Sequence, residues 1–192
     1  MDSEIICTLL TAIREKRSIT FETVNRRRDR ISENHALPLK IMISVQNGRQ
    51  YLMAYTPRFR RITSFRIDNI LSIRLDEPCA DFDSLRDKLE EMLPHIWGVS
   101  TQSISGDRME HVEFTVRYGA DESYIHRRLE REKRCGTVEK LDDGTSRFSA
   151  DVFDASELIP WIRTFICRIT DISFSNKALE SQFRNDLKEM YA

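Results

Sequence analysis

Apolar and polar positions change rhythm several times along this chain, and each rhythm predicts an element. Ile5, Ile6, Leu9, Leu10 and Ile13 recur at helical spacing, which predicts a helix over 4–16 opened by Ser3. Period two then takes over. Ile19 and Phe21 alternate with Thr20 and Glu22 over 18–24, and Ile41, Ile43 and Val45 alternate over 39–45. Between them, 25–34 is polar and basic and reads as an exposed loop. Asn47-Gly48 is a hairpin signal, because both turn residues tolerate positive φ. Its return strand covers 49–55 and stops at Pro57. Strands over 61–67 and 70–75 follow, joined at Asp68-Asn69. Five short strands behind one helix predict a small β-barrel, which removes exposed sheet edges by closing on itself.

Pro78 and the acidic run Asp81-Phe82-Asp83 mark a boundary. A connecting helix is expected over 83–93, with Leu85, Leu89 and Met92 inward. A loop over 94–106 follows, in which Trp97 is expected to plug one domain against the other. Val112, Phe114 and Val116 then alternate in a strand over 111–118. A helix over 121–134 is capped by Asp121, and strands over 137–141 and 147–153 flank the turn Asp142-Asp143-Gly144-Thr145. Asp154 with Glu157 reads as a capping box opening a helix. A strand over 168–174 and a helix over 175–191 complete the chain, the helix carrying Leu179, Phe183, Leu187 and Met190 on one face. The order β-α-β-β-α-β plus a final helix is that of a ferredoxin-like unit. The expected class is α+β: a barrel domain with its helix over 1–76, a linker with a helix over 77–107, and a ferredoxin-like domain over 108–192.

Composition changes this picture in one respect. The 192 residues carry a formal net charge of −1, but it is unevenly placed. From Arg14 to Leu75 there are 14 Lys/Arg against 5 Asp/Glu, a local net of +9, and from Asp76 onward the balance is −8. A basic module fused to an acidic one suits a polyanionic partner for the first half, or a solvated basic surface. Cys7, Cys79, Cys135 and Cys167 lie far apart without a C-x-x-C pair, and read as reduced, mostly buried thiols. No run is long and apolar enough for a membrane span, and no N-terminal apolar leader is evident, so a cytoplasmic location is expected.

Candidate chemistry concentrates in Gly48–Asp68, where Tyr51 and Tyr55, the cluster Arg58, Arg60 and Arg61, and Arg66 beside Phe65 interleave rings with guanidinium groups. Tyr51 with Arg66 is the preferred ligand pair: a guanidinium fork grips a phosphate through two parallel hydrogen bonds, and a tyrosine ring stacks a base. The alternative pairs Arg66 with Asp68 and sends Tyr51 into the core. Arg26-Arg27-Arg28 with Arg30 could track a phosphate backbone or be a solvated loop. The scattered histidines, paired acids, serines and cysteines form no metal, acid–base or nucleophile motif, so neither an enzyme nor a cofactor is expected. Trp161, opening an apolar helical face, reads as core or as a dimer contact.

These residues resemble the WYL domain family, followed by the C-terminal WCX-type extension that often accompanies it. The resemblance is carried by Ile19-Thr-Phe21, Leu37-Pro38, Gly48-Arg-Gln-Tyr51-Leu52-Met-Ala-Tyr55 and Phe65-Arg66-Ile67-Asp68-Asn69-Ile70. The extension is suggested by Leu158-Ile-Pro-Trp161-Ile162, the Asp142-Asp-Gly144 hairpin and Leu187-Lys-Glu-Met190. Three positions depart from the family pattern: its Trp is Gln50, its Arg before the last Ile is Asn69, and its aromatic ending the first strand is Thr23. The resemblance implies an Sm-like, SH3-type barrel that senses a nucleic-acid or nucleotide-like effector in a bacterial transcriptional regulator. It also implies a homodimer built partly by the extension. The expected ligand residues are Tyr51, Arg61, Arg66, Asp68, Gln50 and Arg60. The second reading is a degenerate module that acts in dimerisation or protein interaction without ligand. No winged helix precedes the first helix, which reads as either a truncated piece or a stand-alone sensor.

Overall fold

The computed structural model describes residues 3–25, 29–44, 48–103 and 109–191, and the chain divides into two units, Met1–Met92 and Leu93–Ala192. The described residues form five α-helices and nine strands in two antiparallel sheets.

The first unit opens with α1 (Ser3–Arg14), followed by β1 (Arg17–Asn25), β2 (Arg30–Ile43), β3 (Gln50–Thr56), β4 (Arg61–Arg66), β5 (Ile70–Pro78) and α2 (Phe82–Met92). Helical spacing brings Ile5, Leu9 and Ala12 to one buried face of α1, where they meet Ile19, Phe21, Leu52, Ala54 and Ile67. Phe82 and Leu89 are the buried residues of α2, and Lys40–Glu90 and Lys16–Asp83 ion pairs tie that helix to its own unit.

Strand order is β4-β3-β2-β1-β5. The fourteen-residue β2 serves two partners. Its first half pairs with β1 (Ala36 opposite Ile19), and its second half pairs with β3 (Leu37 opposite Tyr55). The register shifts between Pro38 and Lys40, so the proline sits at a bulge, where a missing N–H breaks no regular ladder. Five strands laid flat would put β4 and β5 about 19 Å apart. Only the 3₁₀ turn Ile67–Asn69 joins them, at about 2 Å of rise per residue. The sheet must therefore curl strongly. It does not close: the described pairings hold no β4–β5 ladder, because that turn redirects the chain instead of forming a hairpin. The expected Sm-like barrel is thus an open, curled sheet with two edges.

Residues 30–34, expected in a loop, belong to β2, with Thr23 opposite Ser32 and Phe21 opposite Asn34. Their polar side chains hid the strand, which owes its order to the ladder with β1 and not to an apolar face. The expected strand end at Val45 and Asn47 of the expected turn lie outside the described residues; Gly48 adopts φ +66° and donates its N–H to the Ser44 carbonyl at 2.8 Å.

The second unit runs β6 (Glu110–Arg117), α3 (Tyr124–Glu132), β7 (Thr137–Asp142), β8 (Thr145–Val152), α4 (Ile159–Ile162), β9 (Ile169–Phe174) and α5 (Lys177–Tyr191). The sheet order is β7-β8-β6-β9, every pair antiparallel, as a β-α-β-β-α-β chain arranges itself. Alternate residues of β6 (Val112, Phe114, Val116) and of β8 (Phe148, Ala150, Val152) enter one core with Leu129 of α3 and Phe183 of α5. Trp97, expected between domains, is built into this core: its ring lies 5.9 Å from Phe148 and 4.8 Å from Trp161. Both tryptophans of the chain therefore belong to the second unit.

Two capping expectations are corrected. Glu122, not Asp121, caps the segment before α3, accepting from the Gly119 N–H at 2.9 Å. Asp154 does cap a 3₁₀ turn by accepting from the Ser156 N–H, but Glu157 completes no box. Its carboxylate accepts instead from the backbone N–H groups of Gly98 (2.8 Å), Val99 (3.0 Å) and Ser100 (3.2 Å) and from the Ser100 hydroxyl (3.0 Å). These successive amides form an anion nest filled from within the chain.

The cysteines are less buried than expected. Cys7 and Cys167 are exposed, and Cys79 and Cys135 are half-buried. Cys7 lies off the Ile5–Leu9–Ala12 face of α1. Burial pushes the Cys135 thiol up to about 11.

Two carboxylates make the second unit acid-sensitive. The Arg168 guanidinium and the Gly119 N–H hold Glu122 at about 2, and Lys177, the Phe174 N–H and Arg184 hold Glu180 at about 2. Both folded-state values lie below the ordinary 4.5, so their contribution is complete above that pH and fades as pH falls toward 2. Thermal unfolding followed by circular dichroism should show the melting temperature falling through this window. Glu122→Gln and Glu180→Gln should flatten the fall. An unchanged acid limb in the double variant would refute the assignment.

Candidate functional site

A groove of about 540 Å³ lies beside β4 and the end of the β1–β2 hairpin. Thr23 and Asn25 come from β1, Ser32 and Asn34 from β2, Ser64, Phe65 and Arg66 from β4, and Asn69 from the turn before β5. The long β1–β2 ladder brings Thr23 and Ser32 directly opposite one another, and the Asn34 amide donates to the Thr23 hydroxyl and to the Ser32 carbonyl, both at 3.0 Å. Phe65 forms an apolar side of the groove and packs edge-on against Phe21, ring centres 5.0 Å apart. The other wall residues are hydroxyls and amides, apart from Val24, and Arg66 is the charged one. The Asn69 Oδ1 atom is buried without a hydrogen-bond partner in the chain. Unspent acceptors of this kind are costly unless something donates to them.

Arg66 stands directly opposite Tyr51 in the β3–β4 ladder, so the two side chains leave the sheet on the same face. Asp68 engages Arg66 from the following turn: the guanidinium donates from Nε at 3.0 Å and from Nη2 at 2.5 Å. That two-pronged contact raises the Arg66 pKa above its ordinary value. The fork is thus already closed by a carboxylate that belongs to the chain.

The six expected ligand residues do not form one cluster. Tyr51, Arg66 and Asp68 come together. Gln50 precedes Tyr51 on β3 and leaves on the opposite face, its Oε1 buried without a partner. Arg60 and Arg61 sit at the other end of the hairpin, and Arg61 is five residues from Arg66 along β4, or about 17 Å at strand rise. Arg60 is left-handed (φ 51°) and closes the 3₁₀ turn Pro57–Phe59 through its N–H to the Pro57 carbonyl at 3.2 Å. Arg26, Arg27 and Arg28 lie outside the described residues. Sequence reasoning missed the groove walls Asn25, Ser32 and Asn34, having read them as loop. Thr23 and Asn69 carried a signal: two of the three positions where the chain departs from the family pattern line the groove.

Among the described residues, no group of three or more His, Cys, Asp or Glu is placed to hold a metal ion, and no helix is long and apolar enough to cross a membrane.

Comparison with curated proteins gives no match. Among solved structures, the chain is similar to proteasome accessory factor B/C (PafBC) of Arthrobacter aurescens, at 16% identity and a TM-score of 0.38, over 96% of this chain and 26% of that one. It is also similar to a CRISPR Cas-related protein, at 11% identity and a TM-score of 0.58, over 98% of this chain and 51% of that one. The second likeness bears on the fold. The chain thus spans about a quarter of the first protein and about half of the second. A family model, the WYL domain, matches residues 4–75, which hold all of α1 but Ser3, β1 to β4 and most of β5 together with every wall of the groove. By this sequence match, residues 4–75 of this chain are similar to the WYL domain family.

Proposed function

We propose that this chain is the effector-sensing part of a bacterial transcriptional regulator, and that its groove takes one phosphate-bearing nucleotide unit. The observation that carries this reading is Arg66, a groove-wall cation on the same face as Tyr51, with an unspent amide acceptor at Asn69 lining the same groove. A phosphate replaces Asp68 on the Arg66 fork. The base stacks on Tyr51 or Phe65 and donates to Asn69. Because Asp68 lies in the turn between β4 and β5, its release changes the contacts of that turn, and the ligand acts by favouring the released arrangement. Residues 93–192 act as a WCX-type extension that supports a homodimer. The module is cytoplasmic and catalyses no reaction.

The test is calorimetric titration with nucleoside monophosphates at two salt concentrations. Arg66→Ala should weaken binding about tenfold to a hundredfold, as expected for losing charge-assisted hydrogen bonds. Asp68→Asn should tighten it, since the competing carboxylate is gone. No binding, or affinity indifferent to Arg66→Ala, would overturn the proposal.

One observation favours a second reading, a degenerate module used for dimerisation or protein contact. Asp68 already satisfies Arg66. Under this reading light scattering reports a dimer that Asp68→Asn leaves unaltered, and monophosphates do not bind.

A further inference from the structure

The second unit carries a groove of its own, of about 700 Å³, at the far end of β6. Two arginines line it. Arg117 ends β6, and Arg168 ends the 3₁₀ segment that leads into β9. The β6–β9 ladder sets Val116 opposite Ile169, so the residue after one and the residue before the other are neighbours across the sheet. The two guanidinium groups differ in what they already hold. Glu122 closes the end of the Arg168 fork, accepting from Nη1 at 2.7 Å and from Nη2 at 2.5 Å, while the Gly119 N–H donates to the same carboxylate at 2.9 Å. This fixes the Arg168 plane and leaves its Nε–H edge unspent. Arg117 is exposed and has no ion pair or side-chain hydrogen bond among the described residues, whereas Lys140, Arg147, Arg168 and Arg184 of the same unit all meet carboxylates.

Adjacent like charges repel, and Glu122 offsets only one of the two. Glu122 stays ionised at neutral pH, since Arg168 and the Gly119 N–H hold it at about 2. The groove thus keeps one uncompensated positive charge, which a singly charged anion matches and a dianion does not. Its volume suits a small organic molecule, and Ile169 and Thr170 beside the arginines offer an apolar and a hydroxyl contact. We propose that this groove binds a small organic acid, whose single carboxylate bridges Arg117 and the Nε–H edge of Arg168. A carboxylate accepts on both oxygens, so one group can serve two guanidinium donors. The site is independent of the first-unit groove and of the nucleotide reading made there.

The experiment is a titration of the full chain with benzoate at constant ionic strength, followed by amide NMR shifts. Benzamide serves as the uncharged isostere and sulfate as the dianion. Benzoate should saturate, with its shifts centred on 117–119 and 167–170, and should bind more tightly than sulfate. Arg117→Ala loses no contact within the chain and should fold as the parent does, yet weaken benzoate about tenfold, as expected for one lost charge-assisted hydrogen bond. Arg117→Lys should recover part of that loss, and Arg66→Ala should change nothing. Benzamide binding as tightly as benzoate, an affinity indifferent to Arg117→Ala, shifts centred elsewhere or no saturation would overturn the proposal. Tighter binding of sulfate would overturn it equally, because the charge argument would then fail.

Discussion

Replacing Phe148 with alanine is expected to destabilise the second unit by about 3–5 kcal/mol, the range for emptying a fully buried aromatic site. Phe148 has no exposed surface, and three rings stand on it: Trp97 at 5.9 Å, Phe114 at 5.3 Å and Trp161 at 5.0 Å. Those rings are themselves anchored. The Trp161 indole donates to Glu132 at 3.2 Å, and Arg134 covers Trp97 while donating to its carbonyl at 3.1 Å. Neighbours fixed in this way cannot collapse into the vacated space, so the loss should fall toward the upper end. A domain of this size has about 5–15 kcal/mol in total, and each kcal/mol moves its melting point by about 4–8 °C. Urea unfolding followed by far-ultraviolet circular dichroism measures the change. A loss below about 1 kcal/mol would mean that the ring cluster does not carry the core.

Glu157→Ala should cost about 3 kcal/mol. The carboxylate is the acceptor for three consecutive backbone N–H groups and a hydroxyl, and alanine leaves these donors facing each other without an anion. Glu157→Gln keeps one acceptor oxygen and should lose roughly half as much. Gly98→Ala probes the same nest from the other side. A Cβ at Gly98 would sit 2.6 Å from the Glu157 carboxyl carbon, so the side chain must leave its place. Urea midpoints ranked in this order would support the nest. Equal midpoints for Glu157→Ala and the parent would refute it.

Much of the second unit was readable from its residues because Val112, Phe114 and Val116 face a single core, and burial writes itself as strict alternation. The first half of β2 was unreadable for the converse reason. Ser32, Glu33 and Asn34 pair with a partner strand, Ser32 and Asn34 also line a polar groove, and neither role requires apolar residues. Glu157 shows a different limit. The spacing from Asp154 fits a capping box, but a loop nearly sixty residues earlier supplies better donors, and no local pattern announces it. At the candidate site, the Tyr51–Arg66 pairing could be read from hairpin register. The division of the arginines could have been read too: Arg61 and Arg66 are a full strand apart, and strand rise alone separates them. That Asp68 closes on Arg66 was one of two open readings, and the coordinates resolve it in favour of contact.

Both indole side chains reside beyond Met92, while the nucleotide groove lies wholly before it. The chain therefore carries its own optical reporter in the unit that does not contain its proposed nucleotide site. Emission from those indoles reports on the second unit, whereas a nucleotide enters the first. Any spectral shift that saturates with the ligand would record a message passed from one half to the other, which is what a sensor must do and a mere binder need not.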